Sequence, residues 1–402
     1  SLWSSLQFLF QYQIGYMYWR YFMWNFTGRQ NDIAGTYDIL KGNWISGIPF
    51  IDNLRLGNQS EISEDAKNNK ARNTYFFLPF LLGLMGLIFV YEQDPKRFWV
   101  LLLFFLFTGL ALKIYLNERP FEPRERDYAL VGSFYVFALW IGMGAYALAH
   151  KAKNFVKSKA VAPLMVGLCF LAVPLLMAFQ NWDDHDRSDR YTAQSMAKSY
   201  LESIQKDVGA MIFTIGDNDT FALWYAQEIE GYRTDVKTIN TSLLATDWYI
   251  DQLKRKTYES DAIPSQMTHP RYAYGIRDYI KHESLLDSVR WDIKDFMNWV
   301  ASDHPRTKYK SLLEQAGDDP RRLPKNTQEM VFYPTNKIRV NVNKENVLKS
   351  GVVKPEDQAL IEPYIDIDLP DGGMTKNQIM MLDILANNDW KRPIYFTGGS
   401  YK

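Results

Sequence analysis

The sequence predicts an α-helical transmembrane bundle followed by a soluble α/β domain with a mostly parallel sheet. Four long apolar runs lie between residues 75 and 180, and the more polar remainder after them alternates strand-like and helix-like segments. The mean hydropathy of −0.28 resembles that of a soluble protein only because it averages these two parts. We therefore divide the chain into residues 1–74, an interfacial aromatic segment with an extracytoplasmic loop, residues 75–180, the membrane helices, and residues 181–402, the soluble domain.

Each of the four apolar runs has about the length needed to cross a ~30 Å hydrocarbon core as a helix. They comprise residues 75–92, 99–116, 128–150 and 161–180. Four such runs in succession would be difficult to bury inside a soluble protein of this size. We therefore predict four transmembrane helices.

The first 28 residues are dense in Trp, Tyr and Phe, but glutamine, arginine and asparagine interrupt them. Aromatic side chains concentrate at the boundary between membrane and water, so we predict an interfacial helix or the end of an upstream helix. A fifth membrane span is the alternative interpretation. Residues 42–73 are expected to form an ordered surface loop.

The basic residues carry little information about orientation. The connections on one face of the predicted bundle contain Lys96, Arg97, Lys151, Lys153, Lys157 and Lys159. The opposite face contains Lys67, Lys70, Arg72, Lys113, Arg119, Arg124 and Arg126, so a count of charges does not decide under the positive-inside rule. The lysine-rich loop at 151–160 favours a cytoplasmic position for its own side, which would place residues 1–74, 117–127 and 181–402 outside.

Charge and cysteine content exclude some classes of function. The 46 Lys and Arg residues balance 46 Asp and Glu residues, which gives no electrostatic reason to expect a nucleic-acid partner. The single cysteine, Cys169, can form neither an internal disulfide nor a cysteine-based metal site. The chain starts at Ser1 without an initiator methionine and stops just after a strand-like run, so we expect it to be a piece of a longer protein, with the soluble domain truncated at its C-terminal end.

The soluble part begins with a strand–helix–strand–helix pattern, which is typical of a parallel sheet with helices packed on it. The predicted elements are a strand at 209–215, a helix at 219–230, a strand at 236–244 and a helix at 246–256. Later segments predict a strand at 337–342, a helix at 376–387 and a strand at 393–396. The stretch from 264 to 322 is rich in loops and gives no clear assignment.

Arg119, Arg124 and Arg126 lie in the short connection between the second and third apolar runs. Arginine binds phosphate through two parallel hydrogen bonds, so a lipid-phosphate headgroup is a natural ligand for them. Three glutamates and one aspartate alternate with these arginines. Salt bridges that cap the two flanking helices are therefore an equally good interpretation.

Asp183, Asp184 and His185 directly follow the last apolar run. Carboxylates next to an imidazole could hold a divalent cation or perform acid–base catalysis, which makes these three residues candidate catalytic residues. Adjacent residues do not all face one way on a helix or strand, however. A solvated linker or a helix N-terminus is the simpler interpretation.

Asp217, Asn218 and Asp219 lie between a predicted strand and the helix that follows it. Ligands of open α/β sheets bind at this edge, and a helix N-terminus offers free N–H groups, so the three residues are candidates for binding a ligand or a metal ion. An Asx turn with a helix cap uses the same residue types and is the competing interpretation. No glycine-rich dinucleotide motif, Walker sequence, nucleophile elbow or zinc-protease motif occurs in the chain.

Several blocks of the chain resemble a family of large bacterial multi-spanning membrane proteins of unassigned function, related to the transmembrane protein O-mannosyltransferases of animals. The blocks include residues 12–32 (YQIGYMYWRYFMWNFTGRQND), 42–48 (GNWISGI), 117–144 (NERPFEPRERDYALVGSFYVFALWIGMG), 181–188, 213–256 and 388–396.

This resemblance implies a C-type glycosyltransferase that takes a mannose-like sugar from a polyprenyl-phosphate donor and works on the outer face of the bacterial inner membrane. The implied partners are membrane lipids, the lipid-linked sugar donor and a protein or glycan acceptor, and a divalent cation is a candidate cofactor. The family's acidic motif, a Trp-Asp-Ser-Gly-Glu-Phe-like stretch after its first span, is not found in these 402 residues. The resemblance therefore assigns no catalytic acid, and a non-catalytic membrane scaffold whose soluble domain docks cell-envelope partners is the alternative function.

Overall fold

A computed structural model describes residues 2–155 and 158–398. The chain divides into two compact units, with the boundary in the sequence between Asp189 and Arg190. The first unit contains the apolar helices and the second contains three small β-sheets with helices packed on them. Lys157, one of the lysines used to predict orientation, lies outside the described residues.

In the described residues of the first unit, the regular secondary structure consists of helices and one short antiparallel strand pair. Its helices are α1 (residues 2–26), α2 (Pro49–Leu56), α3 (Glu64–Lys67), α4 (Leu78–Gln93), α5 (Pro95–Leu116), α6 (Asp127–Phe155) and α7 (Val161–His185). The strands β1 (Gly28–Arg29) and β2 (Asn73–Thr74) pair with each other. The segments that separate β1 from β2 form the loop region predicted at 42–73.

Three of the four predicted spans are long and apolar enough to cross a membrane, namely α5, α6 and α7. The protein is therefore membrane-associated. The remaining apolar helix, α4, has 16 residues, or about 24 Å at 1.5 Å per residue, which is less than a ~30 Å hydrocarbon core. Its length is limited at one end by Phe76 and Phe77, whose positive φ values interrupt the helix, and at the other by Asp94, which caps the next helix.

Helix α1 contacts the same ends of the membrane helices as the 117–126 connection does. The Tyr18 hydroxyl hydrogen-bonds the Ser133 hydroxyl at 2.8 Å, and the Phe22 and Phe137 rings meet edge to face at 4.8 Å. Ser133 and Phe137 lie within the first three turns of α6. At 25 residues α1 is long enough to cross a membrane, but it is not among the helices that are also apolar enough to do so.

The second unit contains nine described helices. They are α8 (Thr192–Glu202), α9 (Asp217–Glu228), α10 (Asp247–Leu253), α11 (His269–Tyr272), α12 (Ile293–Ala301), α13 (Tyr309–Ala316), α14 (Lys325–Gln328), α15 (Lys344–Lys349) and α16 (Lys376–Asn388). Its strands are β3 (Met211–Thr214), β4 (Lys237–Asn240), β5 (Tyr279–His282), β6 (Trp291–Asp292), β7 (Phe332–Tyr333), β8 (Lys337–Asn341), β9 (Tyr364–Asp368), β10 (Met374–Thr375) and β11 (Ile394–Phe396).

The predicted strand–helix–strand pattern forms a parallel sheet with the order β11-β3-β4. Ile212 pairs with Thr238 on one side and with Tyr395 on the other. The prediction of one mostly parallel sheet is too simple, because β8 belongs to a separate mixed sheet, β6-β8-β9, and a third sheet has the order β10-β5-β7. The strands of these two sheets have two to five residues, and among the described residues they pair only with one another and not with β3, β4 or β11.

Two glycines allow α4 and α6 to pack with their backbones in contact. A Cβ atom at Gly86 would lie 1.7 Å from the carbonyl oxygen of Trp140, and one at Gly144 would lie 2.0 Å from the carbonyl oxygen of Leu82. Small residues at such crossings are common in membrane helices, where close backbone approach replaces the hydrophobic effect as the source of association.

We predict that Gly144→Ala destabilises the first unit by about 1–3 kcal/mol, because its methyl group would force α4 and α6 apart. The measurement is thermal unfolding of the full chain in detergent. Gly142→Ala is the matched control, since nothing lies within 4 Å of a Cβ atom at that position on the same helix. Equal unfolding temperatures for the two variants would contradict this packing.

Candidate functional site

The connection between α5 and α6, residues 117–126, is named here the arginine loop. Two of its glutamates form ion pairs with cations from other elements: Glu118 with Lys113, and Glu125 with Arg20. Lys113 and Arg20 are 2% and 5% exposed, so both cations are buried and their charges require a partner. Salt bridges do form in this loop, but most of their basic partners come from outside it.

Because Glu118 and Glu125 are used in this way, two of the loop's arginines are left over. Arg119 and Arg124 are exposed, and neither has an ion-pair partner among the described residues. Arg126 is also exposed, but it contacts Glu122 at 3.7 Å and donates a hydrogen bond to the Tyr128 hydroxyl at 3.2 Å. Arg119 and Arg124 therefore present guanidinium groups that are free to bind an anion.

A stack of alternating cations and aromatic rings lies beside the arginine loop. We call Tyr16, Arg20, Trp24 and Arg29 the arginine–aromatic stack. The Arg20 guanidinium lies 4.1 Å from the ring centre of Tyr16 and 4.9 Å from that of Trp24. The Arg29 guanidinium lies 5.1 Å from the ring centre of Trp24. One end of the stack is joined to Glu125 through Arg20, and the other is joined to Asp184 through Arg29 at 3.4 Å.

Asp183, Asp184 and His185 form the last turn of α7, which we call the carboxylate–histidine turn. The interpretation of these residues as a linker or a helix N-terminus is wrong, because the helix continues past its apolar run and ends at His185. Asp184 is half-buried against Arg29, whereas Asp183 points to solvent with no partner among the described residues. The three side chains therefore do not converge on one point.

His185 is held in a defined tautomer. Its Nδ1 lies 2.7 Å from a carboxylate oxygen of Asp184 and 2.9 Å from the carbonyl oxygen of Asn181. Both partners are acceptors, so Nδ1 carries the proton, and Nε2 of the neutral ring offers a lone pair. His185 also interacts electrostatically with Asp127, the first residue of α6, which directly follows the arginine loop.

In the second unit, the Asp219 carboxylate is used within the protein. It accepts hydrogen bonds from the backbone N–H groups of Ile215, Gly216 and Thr220 at 2.9–3.2 Å and from the Thr397 hydroxyl at 2.5 Å. Burial opposes ionisation, but these hydrogen bonds outweigh it and hold the pKa of Asp219 below its usual value. Asp219 thereby joins the carboxyl ends of β3 and β11.

Asp217 and Asn218 are exposed in the first turn of α9, and neither has a hydrogen-bond partner among the described residues. The structure therefore separates the three predicted ligands into one structural carboxylate and two solvent-facing side chains. Within residues 2–155 and 158–398, no group of three or more His, Cys, Asp or Glu side chains is arranged to hold a metal ion.

Arg20, Arg29 and Lys113 belong to the site but were not predicted from the sequence. The available signal was charge inside otherwise apolar or aromatic segments, since a buried cation in such a segment requires a carboxylate partner. The sequence did not indicate which carboxylate would form the ion pair with each of these three cations.

We predict that Asp219→Asn destabilises the second unit by about 1–2 kcal/mol, because both carboxylate oxygens accept hydrogen bonds and the amide offers only one acceptor. The measurement is hydrogen exchange at the backbone amides of β3 and β11 in the full chain. The lowered pKa of Asp219 contributes stability above the unfolded value of about 3.9, so the difference should shrink as the pH falls below about 4.

Asp217→Asn is the matched control and should leave hydrogen exchange unchanged, since the Asp217 side chain is exposed and has no hydrogen-bond partner among the described residues. If the two variants exchanged alike, the structural role of Asp219 would have to be abandoned, and a ligand-binding role for the whole turn would be open again.

The family comparison concerns the second unit. A family model described as TMEM260-associated domain 2 matches residues 193–402, which is more than half of the chain. No curated protein and no solved structure matches the chain. The matched region contains the Asp219 turn, whereas the arginine loop and the carboxylate–histidine turn precede it. On this match, the chain belongs to the TMEM260-associated domain 2 family.

Proposed function

We propose that this protein is a membrane glycosyltransferase that moves a mannose-like sugar from a polyprenyl-phosphate donor to a hydroxyl-bearing acceptor outside the cytoplasm. The family match and the apolar helices support a membrane protein related to glycosyltransferases. The single observation that carries the proposal is that Arg119 and Arg124 are exposed and have no ion-pair partner in the part of the chain that the structure describes, while Glu118 and Glu125 are bound to buried cations.

In this proposal, Arg119 and Arg124 hold the donor phosphate. A guanidinium donates two parallel N–H groups to two phosphate oxygens, so the arginine loop would bind a phosphate monoester or diester at the membrane surface. The loop connects two helices that are long enough to span the membrane, so its ligand would keep an apolar tail in the lipid. A polyprenyl phosphate has this combination of anionic head and apolar tail.

His185 supplies the acid–base chemistry of the proposed reaction. The acceptor hydroxyl oxygen attacks the anomeric carbon of the sugar, the bond from that carbon to the phosphate oxygen breaks, and the lipid phosphate leaves as an anion. The hydroxyl proton passes to Nε2 of His185, whose tautomer Asp184 fixes through Nδ1. Asp183 has no part in this step, because it faces solvent.

A second candidate function, a non-catalytic scaffold, has a separate observation in its favour. The second unit contains an apolar groove of about 1180 Å³ next to the edge strands β9 and β11. Exposed apolar surface beside an edge strand is a common feature of protein-binding sites. A scaffold would need this groove but would not need unpaired arginines or a histidine with a free lone pair.

We predict that Arg119→Lys and Arg124→Lys each weaken binding of a polyprenyl phosphate by about tenfold, since a point charge replaces a two-pronged donor. Binding is measured by titration of the full chain in nanodiscs. Arg97→Lys is the control, because Arg97 is exposed at the opposite helix ends and contacts only Asp94 among the described residues. Unchanged affinity in both loop variants would refute the donor site.

We predict that His185→Gln lowers the rate of sugar transfer by about 10²- to 10⁴-fold and leaves polyprenyl-phosphate affinity unchanged, because it removes the proton acceptor and not the phosphate ligands. Asp183→Asn, one residue from Asp184 on the same turn, should retain wild-type rate. Sugar transfer at the wild-type rate by His185→Gln would exclude this base. A complete absence of transfer in the wild type, with the donor bound, would favour the scaffold.

A further inference from the structure

A cleft of about 300 Å³ opens in the first unit beside the carboxylate–histidine turn. Trp24, Arg29 and Tyr75 line one part of it, and Asn181, Trp182 and His185 line another. We call it the indole cleft. It differs from the arginine loop in composition, because most of its lining consists of aromatic rings and neutral amides.

Two residues that line the indole cleft each have a hydrogen-bond donor without an acceptor among the described residues. Trp24 is 5% exposed, and its indole N–H is buried without a partner among the described residues. The Nε–H group of Arg29 is buried and unpartnered in the same way. Buried polar groups in native proteins nearly always have a partner, so two unpaired donors at one cleft indicate that a ligand supplies acceptor oxygens there.

The charges around the cleft restrict the kind of ligand. The cation of Arg29 is already balanced by Asp184 at 3.4 Å, so an anion would be bound next to a carboxylate. A wholly apolar ligand would leave both N–H groups unpaired. A neutral molecule with several hydroxyl groups satisfies the donors without adding charge.

The aromatic side chains add a second requirement. Trp182 is 72% exposed at the mouth of the cleft, and its ring can cover a face of C–H groups. Hydroxyl groups at the edge and C–H groups on the face are together the surface of a sugar ring. His185 also lines the cleft, with Nε2 without a partner among the described residues.

The cleft is held open by contacts that do not involve a ligand. The Asn181 amide donates to the Tyr75 hydroxyl at 2.7 Å, and the Gln180 amide donates to the carbonyl oxygen of Thr74 at 2.8 Å. The end of α7 is therefore fixed to β2 and to the residue after it. A site that is already formed loses less entropy when it binds a ligand.

We propose that the indole cleft binds a single sugar ring, with the indole N–H of Trp24 and Nε–H of Arg29 donating to its oxygens and Trp182 covering one face. This rests on the proposed function in one respect, that a sugar is the group transferred. It adds the place of binding, which His185 also lines.

The test is saturation-transfer NMR on the full chain in nanodiscs, with methyl α-mannopyranoside, glucose and myo-inositol as probes at up to about 50 mM, since a lone ring is expected to bind in the millimolar range. Trp24→Phe keeps an aromatic ring at this position and removes the indole N–H group. It should weaken the signal of the bound sugar by about fivefold. Trp182→Ala, at an exposed position, should weaken it by a similar factor without a risk to folding.

Trp140→Phe is the matched control. Trp140 is also buried and its indole N–H also lacks a partner among the described residues, but it does not line the cleft. It should leave the signal unchanged. Absence of a saturation-transfer signal for all three probes would overturn the proposal. Equal signals in Trp24→Phe, Trp182→Ala and wild type would overturn it as well.

Displacement of the sugar by inorganic phosphate would also overturn it, in favour of an anion site. Titration of polyprenyl phosphate on the same samples separates this result from the proposed function. If Trp24→Phe loses sugar binding but still binds polyprenyl phosphate, sugar binding in the indole cleft is supported, whether or not the protein transfers sugar to an acceptor. Donor binding by a wild type that binds no sugar would refute the cleft alone.

Discussion

The buried guanidinium of Arg20 is the constraint on which the first unit depends. A cation removed from water is costly unless its charge and its N–H groups are all satisfied, and removal of one partner typically costs about 3–5 kcal/mol. Arg20 donates to the carbonyl oxygens of Tyr16 and Gly42 and to the Glu125 carboxylate. One side chain thus connects an interfacial helix, the loop that follows it and the arginine loop.

This arrangement explains why the arginine loop is poised to bind an anion. If its glutamates were free, they would neutralise Arg119 and Arg124, as charge balance in the sequence suggests. Because the first unit needs Glu118 and Glu125 for Lys113 and Arg20, those two arginines are left without an ion-pair partner among the described residues. A structural requirement of the buried part therefore creates a surface with an excess of positive charge. The same stack of rings and cations continues to Asp184 and so connects the arginine loop to the indole cleft.

In the second unit, the polar turn at Asp219 stabilises the fold and does not leave its charged group available to a ligand. Asp219 could have been a ligand for a metal ion or a substrate, but its oxygens are occupied by three backbone N–H groups and Thr397. The last strand of the parallel sheet is held beside the first by this carboxylate. An Asp-rich turn at the carboxyl end of a strand therefore does not indicate a ligand site until the hydrogen-bond partners of each carboxylate oxygen are known.

Local pattern was sufficient for the elements themselves. Long apolar runs specified α5, α6 and α7, because length and hydropathy are properties of a continuous segment. Period and strand-forming residues specified β3, α9, β4 and α16 to within a few residues. The failures have local causes too: the positive φ values of Phe76 and Phe77 shorten α4, and the two-residue strands β6, β7 and β10 are too short to show a period.

The sequence by itself determined that the chain has apolar helices long enough for a membrane, a parallel strand–helix–strand unit and three groups of charged residues. Only the tertiary structure decided which charges are used and which are free. In the sequence, 105 residues separate Arg20 from Glu125 and 155 separate Arg29 from Asp184. The separation of Asp219 from Thr397 is 178 residues. The physical reason is that the partner of a buried charge is chosen by which elements pack together, and a pairing over such a separation leaves no periodic trace in the sequence.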